Sequence, residues 1–181
     1  MEGKVLVAYA TRYGSTGEVA DAIGARLRES GFDVDVEPVR EARSFDGYDG
    51  VVFGTPFYMG GMLKEGRAWL ESQRAALEER PSAIFALGPM SAADDLAEAA
   101  QQLDKILAAL PWFRPAAAQM FVGAYDPARL RLADRLLTKL PASPLHGMGA
   151  CDDRDWEAIT AWADMAADAL RTPTACAGER P

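Results

Sequence analysis

Seven residues near the N-terminus, Ala10-Thr11-Arg12-Tyr13-Gly14-Ser15-Thr16, carry the clearest chemistry in the sequence. Thr11, Ser15 and Thr16 supply hydroxyls, and Gly14 permits a tight turn in which backbone N–H groups converge. The segment joins a short apolar run, Lys4–Tyr9, to a helical pattern over Thr16–Ser30. The helix behind the loop adds unpaired first-turn N–H groups and the positive end of its dipole. Together these groups suit a phosphate monoester. The loop lacks the Gly-Lys-Ser/Thr ending of a Walker A sequence and the spacing of a G-x-G-x-x-G turn. A plainer reading competes: Ser15 with Glu18 three residues on matches a capping box, so the hydroxyls would only start a helix.

Two further segments bear on that choice. Gly54-Thr55-Pro56-Phe57-Tyr58-Met59-Gly60-Gly61 follows an apolar run and offers flexible backbone with aromatic rings. Gly88-Pro89-Met90-Ser91, within a loop at 87–93, offers a second irregular turn. A flat, partly apolar ring system would fit between them with its phosphate on the first loop. Ordinary turn chemistry with an exposed aromatic is the alternative for both.

The rest of the composition narrows the field. The 181 residues suffice for one domain with a sizeable core, and the net charge of -8 argues against non-specific affinity for nucleic acid. The two cysteines, Cys151 and Cys176, form no C-x-x-C or Cys/His cluster, so a zinc or iron–sulfur site has no support. His146, the only histidine, stands in a Pro- and Gly-rich stretch and reads as an exposed loop residue. No paired carboxylates or activated nucleophile stand out. No signal peptide or membrane-length apolar stretch is visible, which predicts a cytoplasmic protein.

The elements that would position these loops alternate. Lys4–Tyr9 reads as a strand buried on both faces. Val19, Ala20, Ile23 and Leu27 give the first helix its apolar stripe, with Gly31 as its stop. Phe32–Val39 alternates as an edge-like strand, and Gly50–Gly54 is a third strand. A surface helix spans Leu63–Leu77, a buried strand Ser82–Leu87, a helix Asp94–Leu110, and a fifth strand Gln119–Gly123, starting near Ala116. In the last helix Trp156, Ile159, Ala163, Ala166 and Leu170 share one stripe, capped by Asp153 or Asp155. This pattern predicts an α/β three-layer sandwich with a five-stranded parallel sheet in the order 2-1-3-4-5. In such a sheet the ligand sits at the switch between strands 1 and 3, beyond their C-terminal ends. The single domain would run over 1–171, with an insertion at about 126–147 and a disordered tail at 172–181.

The Thr-x-x-Gly-x-Thr loop after the first strand resembles the FMN phosphate loop of flavodoxins. The chain up to about Leu170 is similar to the flavodoxin-like family, in the branch that includes menaquinone-dependent protoporphyrinogen dehydrogenase. The likeness to that branch rests on Ala8-Tyr9-Ala10-Thr11-Arg12 with Gly14, Tyr48-Asp49, Gly54 with Tyr58-Met59-Gly60, Gly123-Ala124, and Arg154-Asp155-Trp156. The resemblance implies that FMN is the cofactor. Thr11, Arg12, Tyr13, Gly14, Ser15 and Thr16 would bind its phosphate. Tyr58, Met59 and Gly60, within the strand-end stretch Thr55, Pro56 and Phe57, would approach the ring, with Gly88, Pro89, Met90 and Ser91 on its other side. Arg12-Tyr13 departs from flavodoxin usage. Arg12 pairs with phosphate or points to solvent, and Tyr13 packs beside the cofactor or lies on the surface.

The segment after the fifth strand is basic within an acidic chain: Arg129, Arg131, Arg135 and Lys139 stand against Asp134, interleaved with Leu130, Leu132, Leu136, Leu137 and Leu140. Either it lies against a membrane or amphiphilic substrate through 127–140, or it packs its leucines on the domain and solvates its arginines. Quinone-linked relatives carry an insertion here, by the resemblance. Three functions follow: a flavin oxidoreductase passing electrons to a quinone or an organic substrate such as a porphyrinogen; an electron carrier that docks on redox proteins; or a module of this fold that has lost FMN and binds a partner.

Overall fold

In the computed structural model the described residues are 2–58, 61–88, 96–130, 132–138, 140 and 146–171. The expected ring contacts Met59, Gly60, Pro89, Met90 and Ser91, the Tyr58 side chain, and the tail at 172–181 lie outside them.

Apolar strands with both faces buried fix the centre of the molecule. Strand β1 (Glu2–Tyr9) pairs in parallel with β2 (Phe32–Pro38) on one side and with β3 (Gly50–Tyr58) on the other. Strand β3 pairs in parallel with β5 (Ser82–Leu87), and β5 with β6 (Ala117–Phe121). The order β2-β1-β3-β5-β6 is the expected five-strand arrangement. A two-residue strand β4 (Gly61–Met62) adds an antiparallel hairpin to β3, which the sequence reading did not include. A separate pair joins β7 (Ala124–Tyr125) and β8 (Cys151–Asp152).

Successive side chains of a strand face opposite ways, so the sheet supplies two cores. Val5, Val7, Val52, Phe85 and Leu87 pack against α1 (Ser15–Glu29) and α6 (Trp156–Arg171). Leu6, Ala8, Val51, Phe53 and Ile84 pack against Trp69 and Leu70 of α2 (Lys64–Ser72) and Leu103 of α4 (Leu96–Ala108). The Trp162 ring meets Phe85 and Phe121 edge-on at 6.0 and 5.9 Å, contacts worth about 0.5–1.5 kcal/mol each beyond their burial. A Cβ at Gly54 would lie 2.2 Å from Phe85 Cζ, so packing of the adjacent strand requires glycine there.

Four local expectations need correction. The surface helix over Leu63–Leu77 is two helices, α2 and α3 (Arg74–Glu79), separated at Gln73. Trp69 Nε1 donates to Ala42 O at 2.6 Å and its ring stacks on Phe53, which fixes α2 independently of α3. Second, Trp156 leaves the stripe of α6: it is 43% exposed under the Arg154 guanidinium, while Trp162 takes the buried position. Asp155, rather than Asp153, accepts from the Ala158 N–H at the start of that helix.

Third, Thr55, Pro56 and Phe57 are strand residues and not part of a loop. Thr55 and Pro56 pair with Ala86 and Leu87. The β1–β3 register ends at Gly54, so Pro56 stands where β3 has lost its β1 neighbour and a missing N–H is tolerated. Fourth, the capping box is not formed. Gly14 is the residue before α1, with φ of 100°, and no side chain among the described residues caps that helix. The left-handed turn at Gly14 replaces the extended N-cap conformation that a capping serine needs. The Gly31 stop holds, with φ of 99° and its N–H donating to Arg28 O.

Candidate functional site

Beyond the Tyr9–Gly54 pairing, β1 and β3 part, and β1 leads into the hydroxyl-rich loop. The Gly14 N–H donates to Thr11 Oγ1 at 2.9 Å, which closes the loop on itself. The first intrahelical bond of α1 runs from the Glu18 N–H to Gly14 O. The N–H groups of Ser15, Thr16 and Gly17 therefore have no acceptor within the helix. Thr16 is fully buried at this turn, and its Oγ1 has no hydrogen-bond partner among the described residues. A buried hydroxyl without a partner is destabilising by about 1–3 kcal/mol. An acceptor-rich anion at the helix start supplies both what this hydroxyl lacks and what the N–H groups lack. The loop therefore fits a phosphate, while Ser15 is half-buried beside it.

Arg12 and Tyr13 are engaged elsewhere. One guanidinium nitrogen of Arg12 is shared between Asp134 Oδ1 and Oδ2 at 2.8 and 2.9 Å, and the Tyr13 hydroxyl donates to Asp134 Oδ2 at 2.6 Å. Neither alternative expected for Arg12, phosphate or solvent, describes this ion pair. The Asp134 contact raises the Arg12 pKa, and burial, followed by the same carboxylate, raises that of Tyr13. Asp134 belongs to α5 (Leu132–Leu137), within the segment expected as an insertion.

A second network borders the loop. Arg129 Nη1 meets Glu18 Oε1 at 2.6 Å, and a Cβ at Gly14 would lie 3.5 Å from the same nitrogen. Arg154, with only 5% of its side chain exposed, contacts Glu18 Oε2 at 2.8 Å and Asp152 Oδ2 at 2.6 Å, and donates to Ser15 O. Hydrogen bonding from Arg129, then from Arg154, holds the Glu18 carboxyl below its usual range. Arg154 likewise lowers Asp152. Tyr13, Ser15, Glu18, Tyr125, Arg129 and Arg154 line a cleft of about 300 Å³ beside the loop.

The second and third expected segments contribute differently. Thr55 is buried, with its hydroxyl on Pro56 O, and Phe57 packs against the α2 core. A Cβ at Gly88 would meet Met120 Sδ at 2.6 Å, so this glycine is explained by packing on β6. The sequence reading placed Glu18 beside the loop only as the capping partner of Ser15, and did not identify Asp134 or Arg129 as neighbours of the loop. The excess of arginine after the fifth strand was their one visible signal.

Comparison with known proteins agrees with this architecture. A family model described as "Flavodoxin domain" matches residues 6–148. The chain is 27% identical to a protein named protoporphyrinogen IX dehydrogenase [quinone] from Escherichia coli strain K12, over 94% of this chain and 98% of that one. Among solved structures, oxidised flavodoxin 1 from Bacillus cereus superposes with a TM-score of 0.59 at 16% identity, covering 92% of this chain and 99% of that one. An archaeal flavodoxin superposes at 0.56 with 15% identity, covering 93% and 99%.

Proposed function

The chain belongs to the flavodoxin domain family, and from that premise we propose that it is an FMN-dependent oxidoreductase that passes electrons between an organic substrate and a quinone. The carrying observation is the fully buried Thr16 hydroxyl, left without a partner among the described residues at the first turn of α1. It supports a phosphate at this turn, and in parallel sheets of this order ligands bind beyond the strand ends at the switch point, here between β1 and β3.

In this reading Thr16, Ser15 and the first-turn N–H groups hold the FMN phosphate, and Thr11 keeps the loop closed through Gly14. The stretches 58–60 and 88–91 would approach the ring, as the family resemblance implies. FMN, when bound, supplies the redox chemistry, and the protein supplies orientation and electrostatics. Arg154 holds the start of α1 through the Ser15 carbonyl and Glu18, so the helix turn that meets the phosphate is fixed before the ligand arrives.

The near full-length likeness to a quinone-linked protoporphyrinogen IX dehydrogenase supports a quinone as electron acceptor and a porphyrinogen as donor. Leu136 and Leu140, 66% and 52% exposed, stand near the exposed Arg135 on the segment after β7. This supports peripheral contact through 127–140 with the lipid phase in which quinones reside. No helix among the described residues is long and apolar enough to cross a membrane.

The test is anaerobic. FMN-loaded protein is reduced and mixed with a soluble menaquinone analogue, and flavin absorbance is followed. Saturable reoxidation is expected, and the same preparation with quinone should turn protoporphyrinogen into fluorescent protoporphyrin. Reduced protein that ignores the quinone would contradict the oxidoreductase reading.

A further inference from the structure

Arg12 and Tyr13 follow each other at the entrance of the phosphate loop, and both side chains end on one carboxylate 122 and 121 positions further along the chain. The segment bearing that carboxylate has both a buried and an exposed leucine among its described residues. Leu130 is buried, while Leu136 is 66% exposed. Polar bonds contribute to the segment's internal order. Asp126 Oδ1 accepts from the Ala128 N–H at a 3-10 turn, Pro127–Arg129, and Arg135 Nη2 donates to Ala128 O. Its polar ties to the rest of the domain include bonds to the loop and to the first turn of the following helix. Asp134 takes Arg12 and Tyr13, and Arg129 takes Glu18.

We propose that Asp134 is a positioning residue that joins segment 126–138 to the phosphate loop, so that FMN binding and docking of the segment are one coupled equilibrium. The proposal rests on the FMN reading above. A ligand that orders Thr11–Thr16 fixes the backbone from which Arg12 and Tyr13 reach Asp134. It thereby favours the docked segment, and by linkage the docked segment favours the ligand by the same factor. Arg12 and Tyr13 are then the chain's adaptation of the loop to carry an added segment, and the exposed leucines of that segment are held beside the cofactor end of the sheet.

Amide hydrogen exchange and FMN affinity, measured on the same full-length preparations, test this. In FMN-free protein, Asp134→Ala should speed exchange of 126–138 by about three- to tenfold, the range for losing a part-exposed ion pair with a second hydrogen bond. Exchange of α6 should not change, which shows that the fold survives. FMN should slow exchange of the segment in the wild type, and the FMN dissociation constant of Asp134→Ala should rise by the same factor by which coupling is lost. Asp134→Asn, which keeps the shape and removes the charge, should fall between. The charge-reversed pair Arg12→Asp with Asp134→Arg should restore part of both effects. Unchanged exchange in Asp134→Ala, or a loosened segment with unchanged FMN affinity, would overturn this proposal alone. A wild type that takes up no FMN would overturn the functional reading and the coupling with it.

Discussion

Thr16 concentrates the account at the scale of the residue. Its hydroxyl is buried and has no partner among the described residues, a placement that weakens the ligand-free fold and, on the proposed reading, would strengthen the hold on an anion. Thr16→Val separates the two effects because it deletes the oxygen and keeps the volume. The FMN-free variant should be more stable than wild type by about 1 kcal/mol in urea unfolding, as an unsatisfied polar atom is removed. Its FMN affinity should fall by about 1.5–3 kcal/mol in a fluorescence titration, the range for hydrogen bonds to a charged group. A variant less stable and equally tight would assign the hydroxyl to the fold. The hydroxyls of this loop are legible in sequence because their spacing is local. The partner of Arg12 is not, because Asp134 is brought to it only by the tertiary fold. Gly88 carries a packing constraint that sequence does not show: a Cβ there would meet Met120 Sδ on the neighbouring strand.

Among elements, the first turn of α1 and the start of α6 are joined through charge. Arg154, largely buried, depends on Glu18 and Asp152. Both carboxyls have pKa values lowered in the folded state, Glu18 by Arg129 and Arg154 and Asp152 by Arg154. The folded protein thus binds these protons more weakly than the unfolded chain does. The stabilisation is complete above the unfolded carboxyl values of about 3.9–4.3 and is lost as pH falls through the folded values. Urea midpoints measured from pH 6 to pH 3 should therefore fall more steeply for wild type than for Glu18→Gln. Parallel curves would remove the network from the stability of the fold. Helix α1 shows why charge escapes a sequence reading: Ser15 and Glu18 carry the capping-box pattern, but Gly14 adopts a left-handed turn and Glu18 turns to two arginines instead. The break between α2 and α3 is missed for a related reason, since the apolar spacing runs on through Gln73 while the Trp69 indole is fixed by Ala42.

For the whole molecule, the strand order was legible because buried parallel strands are continuous apolar runs separated by helical patterns. Val5–Ala8, Val51–Phe53 and Ala83–Leu87 are such runs and occupy the centre of the sheet. The short pairings β3–β4 and β7–β8 escaped because two-residue strands have no period to read. The parallel order places the C-terminal ends of β1 and β3, the unsatisfied turn of α1 and the segment bearing Asp134 at one end of the domain, and FMN at that end is the central claim. Titration of FMN-free protein with FMN and with riboflavin, followed by flavin fluorescence, tests it most directly, since the two ligands differ only by the phosphate. The account predicts one FMN bound per chain and riboflavin binding weaker by at least about 3 kcal/mol, a loss of several charge-assisted hydrogen bonds. Equal affinity for the two flavins, or no uptake of FMN, would contradict it.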